Sequence, residues 1–357
     1  MWGTVRRWFG RTGSRAPADG AKASGRVSAP LETGSAVEMV WFDDTRLPIP
    51  DWQAIDAGLA AEASAQDRDA FRTAAAGHWL QALATALPDA GRPYRVHASP
   101  DFLLLSALDD RSVETLMQFC QAARRRIVRN LGDVARPRAD GRHVLLVFAE
   151  EDAYYDYVAH FYADDGGEYA MSSGMFIHHG YGHFALSEGG MDAMQPVIVH
   201  ELTHCLLAHL PIPAWLNEGM AVNTEHAFFP WLAHPGHLLY HPEELPRKHL
   251  AFWDADTVQE FWSGKSFLRT DDGNELSYDL AKRLVSRIAQ SDAALLAFLD
   301  QADRRDGGVG AEAVLGVTLE SLLEPLLGPG DWRPCPERWV DGTEGGHFRL
   351  ARGFTGS

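Results

Sequence analysis

Two histidines and a glutamate stand at helical spacing in residues 195–204, which read Gln-Pro-Val-Ile-Val-His-Glu-Leu-Thr-His. Because His200 and His204 are four residues apart, an α-helix would carry both imidazoles on one face. Two imidazoles at that spacing can reach one zinc ion at about 2.0–2.1 Å each. Glu201 is the next residue after His200, so it would point towards an open coordination position. Pro196 is expected in the first helical turn, where its missing N–H is not needed.

A second acidic element follows at residues 213–221, with the sequence PAWLNEGMA. Pro211 and Pro213 can end the first helix and let the chain turn back, and Pro213 can begin a second helix that carries Glu218 in its first turns. A catalytic zinc needs three protein ligands and one open position, and two histidines with one glutamate meet that need. We therefore predict that Glu218 completes a zinc site begun by the two histidines.

The same residues also allow interpretations without a metal. With 16 histidines in the chain, the five-residue pattern can arise by chance in an amphipathic helix whose histidines are solvated or hydrogen bonded in the core. Glu218 can be an ordinary solvated carboxylate near a helix N-terminus. A further loop cluster of His234, His237 and His241 is a weaker candidate for a second metal site.

The segment HELTH, followed by PAWLNEGMA, resembles the gluzincin metallopeptidases, the peptidase-MA-like group with thermolysin-like and aminopeptidase-like domains. The resemblance covers residues from about 94 to 290. It implies an α+β fold with a mixed sheet, two zinc-bearing helices and a helical C-terminal lobe. It further implies that an edge strand of the sheet binds extended peptide.

The resemblance also assigns roles to individual residues. Glu218 matches the third ligand of the WLNEG-type element, and Glu225 matches a further glutamate seven residues later. We place Asn217, which precedes the third ligand, with Glu225 as support for the ligands. Tyr278 resembles a recurring tyrosine that stabilises the transition state, although helix packing explains a tyrosine there equally well.

The regions of the chain differ in composition and in periodicity. A buried strand is predicted at 101–107, another at 143–148, and a hairpin at 175–187 whose turn contains Gly180 and Gly182. We expect the following division: a disordered basic tail at 1–35, an N-terminal helical extension at 36–92, a zinc catalytic lobe at 93–245, a helical C-terminal lobe at 246–330, and an irregular segment at 331–357.

These features predict zinc-dependent hydrolysis of peptide bonds in a peptide or protein substrate, with Glu201 as general base. An endopeptidase is expected because the exopeptidase Gly-x-Met-Glu-Asn motif is absent as such. The alternative is a catalytically weak zinc-binding recognition domain of the same fold, against which the intact Glu201 argues. Substrate is expected at an edge strand of the hairpin, with Phe184 and Ala185 as contacts, because an edge offers unpaired backbone groups. The rival arrangement has both strands internal and another segment at the rim.

The charge of the chain restricts its partners. The formal net charge is −17, so neither nucleic acid nor an anionic membrane is an expected partner. Three scattered cysteines fit a reducing compartment, and Arg6 and Arg7 are not followed by the apolar stretch of an export signal. We therefore expect a cytoplasmic protein. The sequence leaves its oligomeric state open.

Overall fold

A computed structural model describes residues 26–28, 36–43, 45–59, 63–88, 91–135, 141–161 and 172–339. Most of the predicted tail at 1–35 and residues 340–357 of the predicted C-terminal segment lie outside the described residues. One part of the tail is described, and the prediction of disorder is wrong for that part. Arg26–Ser28 forms a strand that pairs antiparallel with Ala36–Glu38.

The described residues contain seven strands and twelve α-helices. The strands are β1 (Arg26–Ser28), β2 (Ala36–Glu38), β3 (Arg95–Ala98), β4 (Phe102–Ser106), β5 (His143–Phe148), β6 (Gly174–His179) and β7 (Tyr181–Ser187). The helices are α1 (Trp52–Ala57), α2 (Ala65–Ala86), α3 (Asp110–Leu131), α4 (Glu151–Val158), α5 (Met191–Leu207), α6 (Ala214–Phe228), α7 (Leu245–Phe252), α8 (Thr257–Ser263), α9 (Asp272–Ile288), α10 (Asp292–Gln301), α11 (Glu312–Leu315) and α12 (Leu319–Leu327).

Five of the strands form one mixed sheet in the order β3-β4-β5-β7-β6. The three central strands β4, β5 and β7 are parallel, whereas β3 and β6 run antiparallel to their neighbours at the two edges. All five residues of β4 and the last five of β5 are buried, as expected for strands covered on both faces. The mixed sheet predicted from the resemblance is therefore present, within an α+β fold.

Helices cover both faces of this sheet. One face carries Leu104, Leu145 and Phe184, and it packs in one core with α3, α5, α6 and the helices that follow. The opposite face carries Leu103, Leu146 and Ala185, and it packs with α1, α2 and α4. The N-terminal region predicted as a helical extension thus supplies the layer that buries this second face.

The helix with the two histidines begins earlier than predicted. Gly190 is its N-cap and Met191 its first residue, so Pro196 lies in the second turn of α5. The missing N–H of Pro196 leaves the carbonyl of Asp192 without its intrahelical partner. Asp192 is exposed, so water can bond that carbonyl. The following helix agrees with the prediction, with Pro213 as N-cap of α6 and Glu218 in its second turn.

Helices predominate after α6. The periodicity predicts helices at about 274–289, 291–302 and 318–327, and the structure has α9, α10 and α12 at these places. None of the helices in the described part of the chain combines the length and apolar composition that crossing a bilayer requires.

A buried histidine on β7 makes the stability of the fold depend on pH. The Nε2 atom of His183 lies 2.7 Å from the hydroxyl of Tyr157, and its Nδ1 atom lies 2.9 Å from the carbonyl oxygen of Tyr181. A carbonyl can only accept, so Nδ1–H donates to Tyr181 and Nε2 accepts from Tyr157. Burial lowers the pKa of His183 to about 3, which keeps the folded imidazole neutral.

We predict that acid destabilises the fold partly through His183. Between pH about 6.5 and about 3 the unfolded chain binds a proton that folded His183 excludes, so the free energy of unfolding falls by up to about 1.4 kcal/mol per pH unit as the pH drops. Urea unfolding at several pH values measures this dependence. The His183→Gln variant can keep both hydrogen bonds without titrating, and it should show a shallower pH dependence. Equal dependence in the two proteins would contradict the assignment.

Candidate metal centre

Helices α5 and α6 bring three potential metal ligands together. The Oε2 atom of Glu218 lies 3.3 Å from Nε2 of His200 and 3.3 Å from Nε2 of His204. The ligand atoms of these three residues all lie within 4.8 Å of one another, and the two imidazole rings meet edge to face. The group can therefore hold a metal ion, as the sequence predicted.

The spacing of the ligand atoms fits a small tetrahedral ion. Ligands about 2.0–2.1 Å from a tetrahedral zinc lie about 3.3–3.4 Å apart. Both histidine-to-carboxylate distances are 3.3 Å. Two imidazole nitrogens and one carboxylate oxygen are also a ligand set used in catalytic zinc sites, and they leave a fourth position open. In the described residues no other group of three or more His, Cys, Asp or Glu side chains is arranged in this way, so the weaker candidate, the loop histidines His234, His237 and His241, is not brought together as a metal site.

A glycine directly after the third ligand sets how closely α6 packs. A Cβ atom at Gly219 would lie 2.6 Å from the carbonyl oxygen of Ala281 and 2.6 Å from Cγ2 of Val285 on α9. Asn223 reinforces the contact, since its Nδ2 donates to the carbonyl of Lys282 at 2.9 Å. The close approach of α9 fixes α6, and with it the carboxylate of Glu218.

Glu225 lies behind the ligand His200 and contacts the far side of its ring. Its Oε2 atom is 3.2 Å from Nδ1 of His200, on the side of the ring opposite Glu218. When Glu225 accepts a hydrogen bond from Nδ1–H, the Nε2 atom of His200 is left to bind a metal and the orientation of the ring is fixed. The supporting role that the resemblance implies for Glu225 stays a prediction, and this contact is the one that it requires.

The buried charges of the site shift one another's pKa. Burial alone would lower the pKa of His200, but its hydrogen bonds to Glu218 and Glu225 outweigh burial and raise that pKa well above its ordinary value. Burial would raise the pKa of Glu218, but the charge of His204 and the hydrogen bonds from both histidines hold it well below its usual range. Glu218 is therefore an anion ready to bind a cation.

Glu201 differs from Glu218 although it is equally buried. Burial raises the pKa of Glu201, against the opposing charges of His200 and His204. Its side chain lies against β6, where a Cβ atom added at Gly174 would lie 3.5 Å from Cγ of Glu201. A carboxylate whose pKa is raised towards neutrality is better suited to accept a proton than an ordinary one.

The structure places Tyr278 next to the metal ligands, and it leaves a side-chain oxygen of Asn217 without a hydrogen bond. Tyr278, on α9, is half-buried, and its ring centroid lies 6.4 Å from that of His200, so it borders the site. Asn217 is partly buried, and its Oδ1 has no hydrogen-bond partner among the described residues. In the described residues this oxygen therefore makes no hydrogen bond that would support a metal ligand.

The prediction for Phe184 and Ala185 as substrate contacts is wrong. Both lie on β7, which pairs with β5 on one side and β6 on the other, and both side chains are fully buried. Their backbone groups belong to the sheet and cannot pair with an added strand. The edge beside α5 is β6, so the expectation of a hairpin strand at the edge is confirmed for the first strand only.

Two glycines that position the site were not predicted from the sequence. Gly219 packs against α9, and Gly174 on β6 packs against α5, where an added Cβ would lie 2.3 Å from Cγ1 of Val197. A glycine within a strand, or directly after a predicted ligand on a helix, is a recognisable sign of close backbone approach.

Comparisons with protein-family models, with curated proteins and with solved structures found no match to this chain.

We predict that Glu225 contributes to metal affinity through His200. The Glu225→Ala variant loses the acceptor for Nδ1–H, so His200 is less well oriented and its nitrogen less basic. Zinc affinity should fall about 10–100-fold, measured by competition with a chelator of known affinity. Glu114, exposed on α3, provides the control, and Glu114→Ala should bind zinc like the wild type. Equal zinc affinities in the two variants would show that Glu225 does not support the ligand His200.

Proposed function

We propose that the chain is a zinc-dependent peptidase that cleaves peptide bonds. The observation that carries this proposal is the meeting of His200, His204 and Glu218 beside the buried Glu201, on a helix that packs against β6, an edge strand of the sheet in the described residues. Zinc is proposed because two imidazoles and one carboxylate, spaced for a tetrahedron, suit that ion and leave one position open.

Glu201 and Tyr278 have different roles in the proposed hydrolysis. When bound, zinc would lower the pKa of a water molecule and polarise the carbonyl of the substrate. Glu201 accepts the proton of the attacking water and then delivers it to the leaving amine. Tyr278 borders the ligand His200, and its hydroxyl is the candidate second donor to the oxyanion that develops in the transition state.

Strand β6 offers a binding place for an extended peptide. It is an edge strand, it runs antiparallel to β7, and it packs against the metal-bearing helix α5. Backbone groups at an edge can pair with any extended chain, which gives affinity with little dependence on side chains. We propose cleavage of internal bonds, because the Gly-x-Met-Glu-Asn element of exopeptidases is absent from the sequence.

The purified protein is predicted to hold about one zinc ion per chain, because three ligands converge at one point. Elemental analysis after dialysis measures the metal content. His204→Ala and Glu218→Ala should each reduce it strongly, whereas the exposed loop variant His237→Ala should leave it unchanged. Full zinc occupancy in either ligand variant would show that the metal, if present, is held elsewhere.

The Glu201→Gln variant should keep its fold and its zinc and lose hydrolysis. The amide has almost the same shape as the carboxylate but cannot accept the proton, so the rate should fall at least about 10²–10⁴-fold. The assay uses a library of peptides blocked at both termini, which also separates internal from terminal cleavage.

The same assay tests the alternative of a recognition domain. A wild-type protein that binds zinc and peptide, and cleaves neither blocked nor free peptides, would support recognition and contradict the proposed peptidase.

A further inference from the structure

Strand β6 presents different residues to the two faces of the sheet. Met175 and Ile177 are buried in the core formed with α1, α2 and α4, whereas Phe176 packs against the core formed with α5. Because side chains alternate along a strand, Gly174 and His178 lie on the same face as Phe176. This face is the one covered by α5, the helix that carries both ligand histidines and the proposed base.

The close packing at Gly174 places this face relative to the metal centre. A Cβ atom added at Gly174 would lie 2.3 Å from Cγ1 of Val197 and 3.5 Å from Cγ of Glu201, both on α5. A strand rises about 3.4 Å per residue, so Phe176 lies about 7 Å further along β6 and His178 about 14 Å further. The two rings therefore line the same face at increasing distance from Glu201.

A glycine on the neighbouring strand leaves room for both rings. Gly182 of β7 is the partner of His178 in the register of the two strands. A Cβ atom added at Gly182 would lie 3.2 Å from Cζ of Phe176 and 3.8 Å from Cδ2 of His178, so the rings occupy the space above this glycine. Their centroids lie 6.1 Å apart and their planes are 17° from parallel. The ring of Phe176 could not keep this position beside a larger residue at 182.

The two rings form an aromatic surface that a bound peptide can reach. Phe176 is partly buried and His178 is exposed. In the described residues β6 is an edge strand, so a peptide that pairs with its outer side would place every second side chain on this face. Aromatic side chains stabilise each other across neighbouring strands. The face therefore favours a peptide that brings an aromatic ring next to Phe176.

We propose that Phe176 is a specificity-determining residue, which favours substrates with an aromatic side chain about two residues from the cleaved bond. This inference rests on the proposed function, because it concerns the peptide that pairs with β6. The position follows from the strand, since the substrate residues beside Glu201 and Phe176 are as far apart as Gly174 and Phe176. His178 flanks the ring of Phe176, and Gly182 provides the space that the ring occupies.

A series of peptides blocked at both termini tests this preference. Each position in turn holds Phe or Ala, and mass spectrometry identifies the bond that is cut. In the wild type, Phe about two residues from that bond should raise kcat/KM about 10-fold over Ala, the effect of one aromatic pair and the area it buries. Phe176→Ala should abolish this preference and keep the zinc. A wild type without the preference, or an equal preference in Phe176→Ala, would overturn the proposal.

Phe42 provides the matched control for the loss of a ring. It is partly buried, as Phe176 is, but it packs against the core on the opposite face of the sheet. Phe42→Ala should therefore keep the preference for Phe over Ala, whatever its effect on stability. An equal loss of preference in Phe42→Ala and Phe176→Ala would indicate general damage to the sheet and contradict a specific role of Phe176.

Gly182 tests the position of the ring. Gly182→Val should abolish the preference, because its side chain enters the space that the ring of Phe176 occupies. In the Phe176→Ala background the same substitution should not change the preference further, since the ring is already absent. A full preference in Gly182→Val would contradict the proposed binding surface.

Peptide binding to the Glu201→Gln variant separates this inference from the proposed function. This variant should hold zinc without cleaving, so calorimetry can compare the dissociation constants of the Phe and Ala peptides of the same series. Tighter binding of a Phe peptide, lost when Phe176→Ala is added, would support the inference. If the wild type then shows no hydrolysis, the proposed function is rejected and the binding surface is retained. Cleavage by the wild type without any preference would retain the peptidase and overturn the role of Phe176.

Discussion

The arrangement of the site depends on one buried interaction, the approach of the Glu218 carboxylate to the imidazoles of His200 and His204. Placing an unpaired carboxylate in a protein interior is costly, and two facing imidazoles or a shared cation remove that cost. One oxygen of Glu218 lies 3.3 Å from both Nε2 atoms, so a single ion can satisfy all three groups. The return of α6 beside α5 after Pro213 brings these three groups together.

Two glycines hold the layers around this interaction at the necessary distance. Gly219 lets α9 approach α6 behind the third ligand, and Gly174 lets the edge strand approach α5 in front of Glu201. Neither glycine has a positive φ, so the need for glycine comes from steric contact and not from backbone conformation. The ligands and the base are therefore fixed by the packing of elements that are distant in sequence, namely β6 and α9.

The metal ligands could be predicted from the sequence because their chemistry is local. His200 and His204 share a helix face by spacing alone, and Glu218 follows after a proline-marked turn. The edge strand could not be assigned in this way, because it depends on which hairpin strand pairs with β5, a long-range choice. The two strands have similar apolar runs, Met-Phe-Ile at 175–177 and Phe-Ala-Leu at 184–186, so composition does not distinguish the edge strand from the internal one. The start of α5 was misplaced because proline favours the first turn of a helix without being restricted to it.

Anomalous diffraction can show whether His200, His204 and Glu218 bind one metal ion. Data collected on either side of the zinc absorption edge, from crystals grown with one equivalent of zinc, locate the ion independently of any assumed ligand. This ligand set predicts one strong peak about 2.0–2.2 Å from Nε2 of His200, Nε2 of His204 and a carboxylate oxygen of Glu218. A fully occupied peak elsewhere, or no peak between α5 and α6, would contradict it.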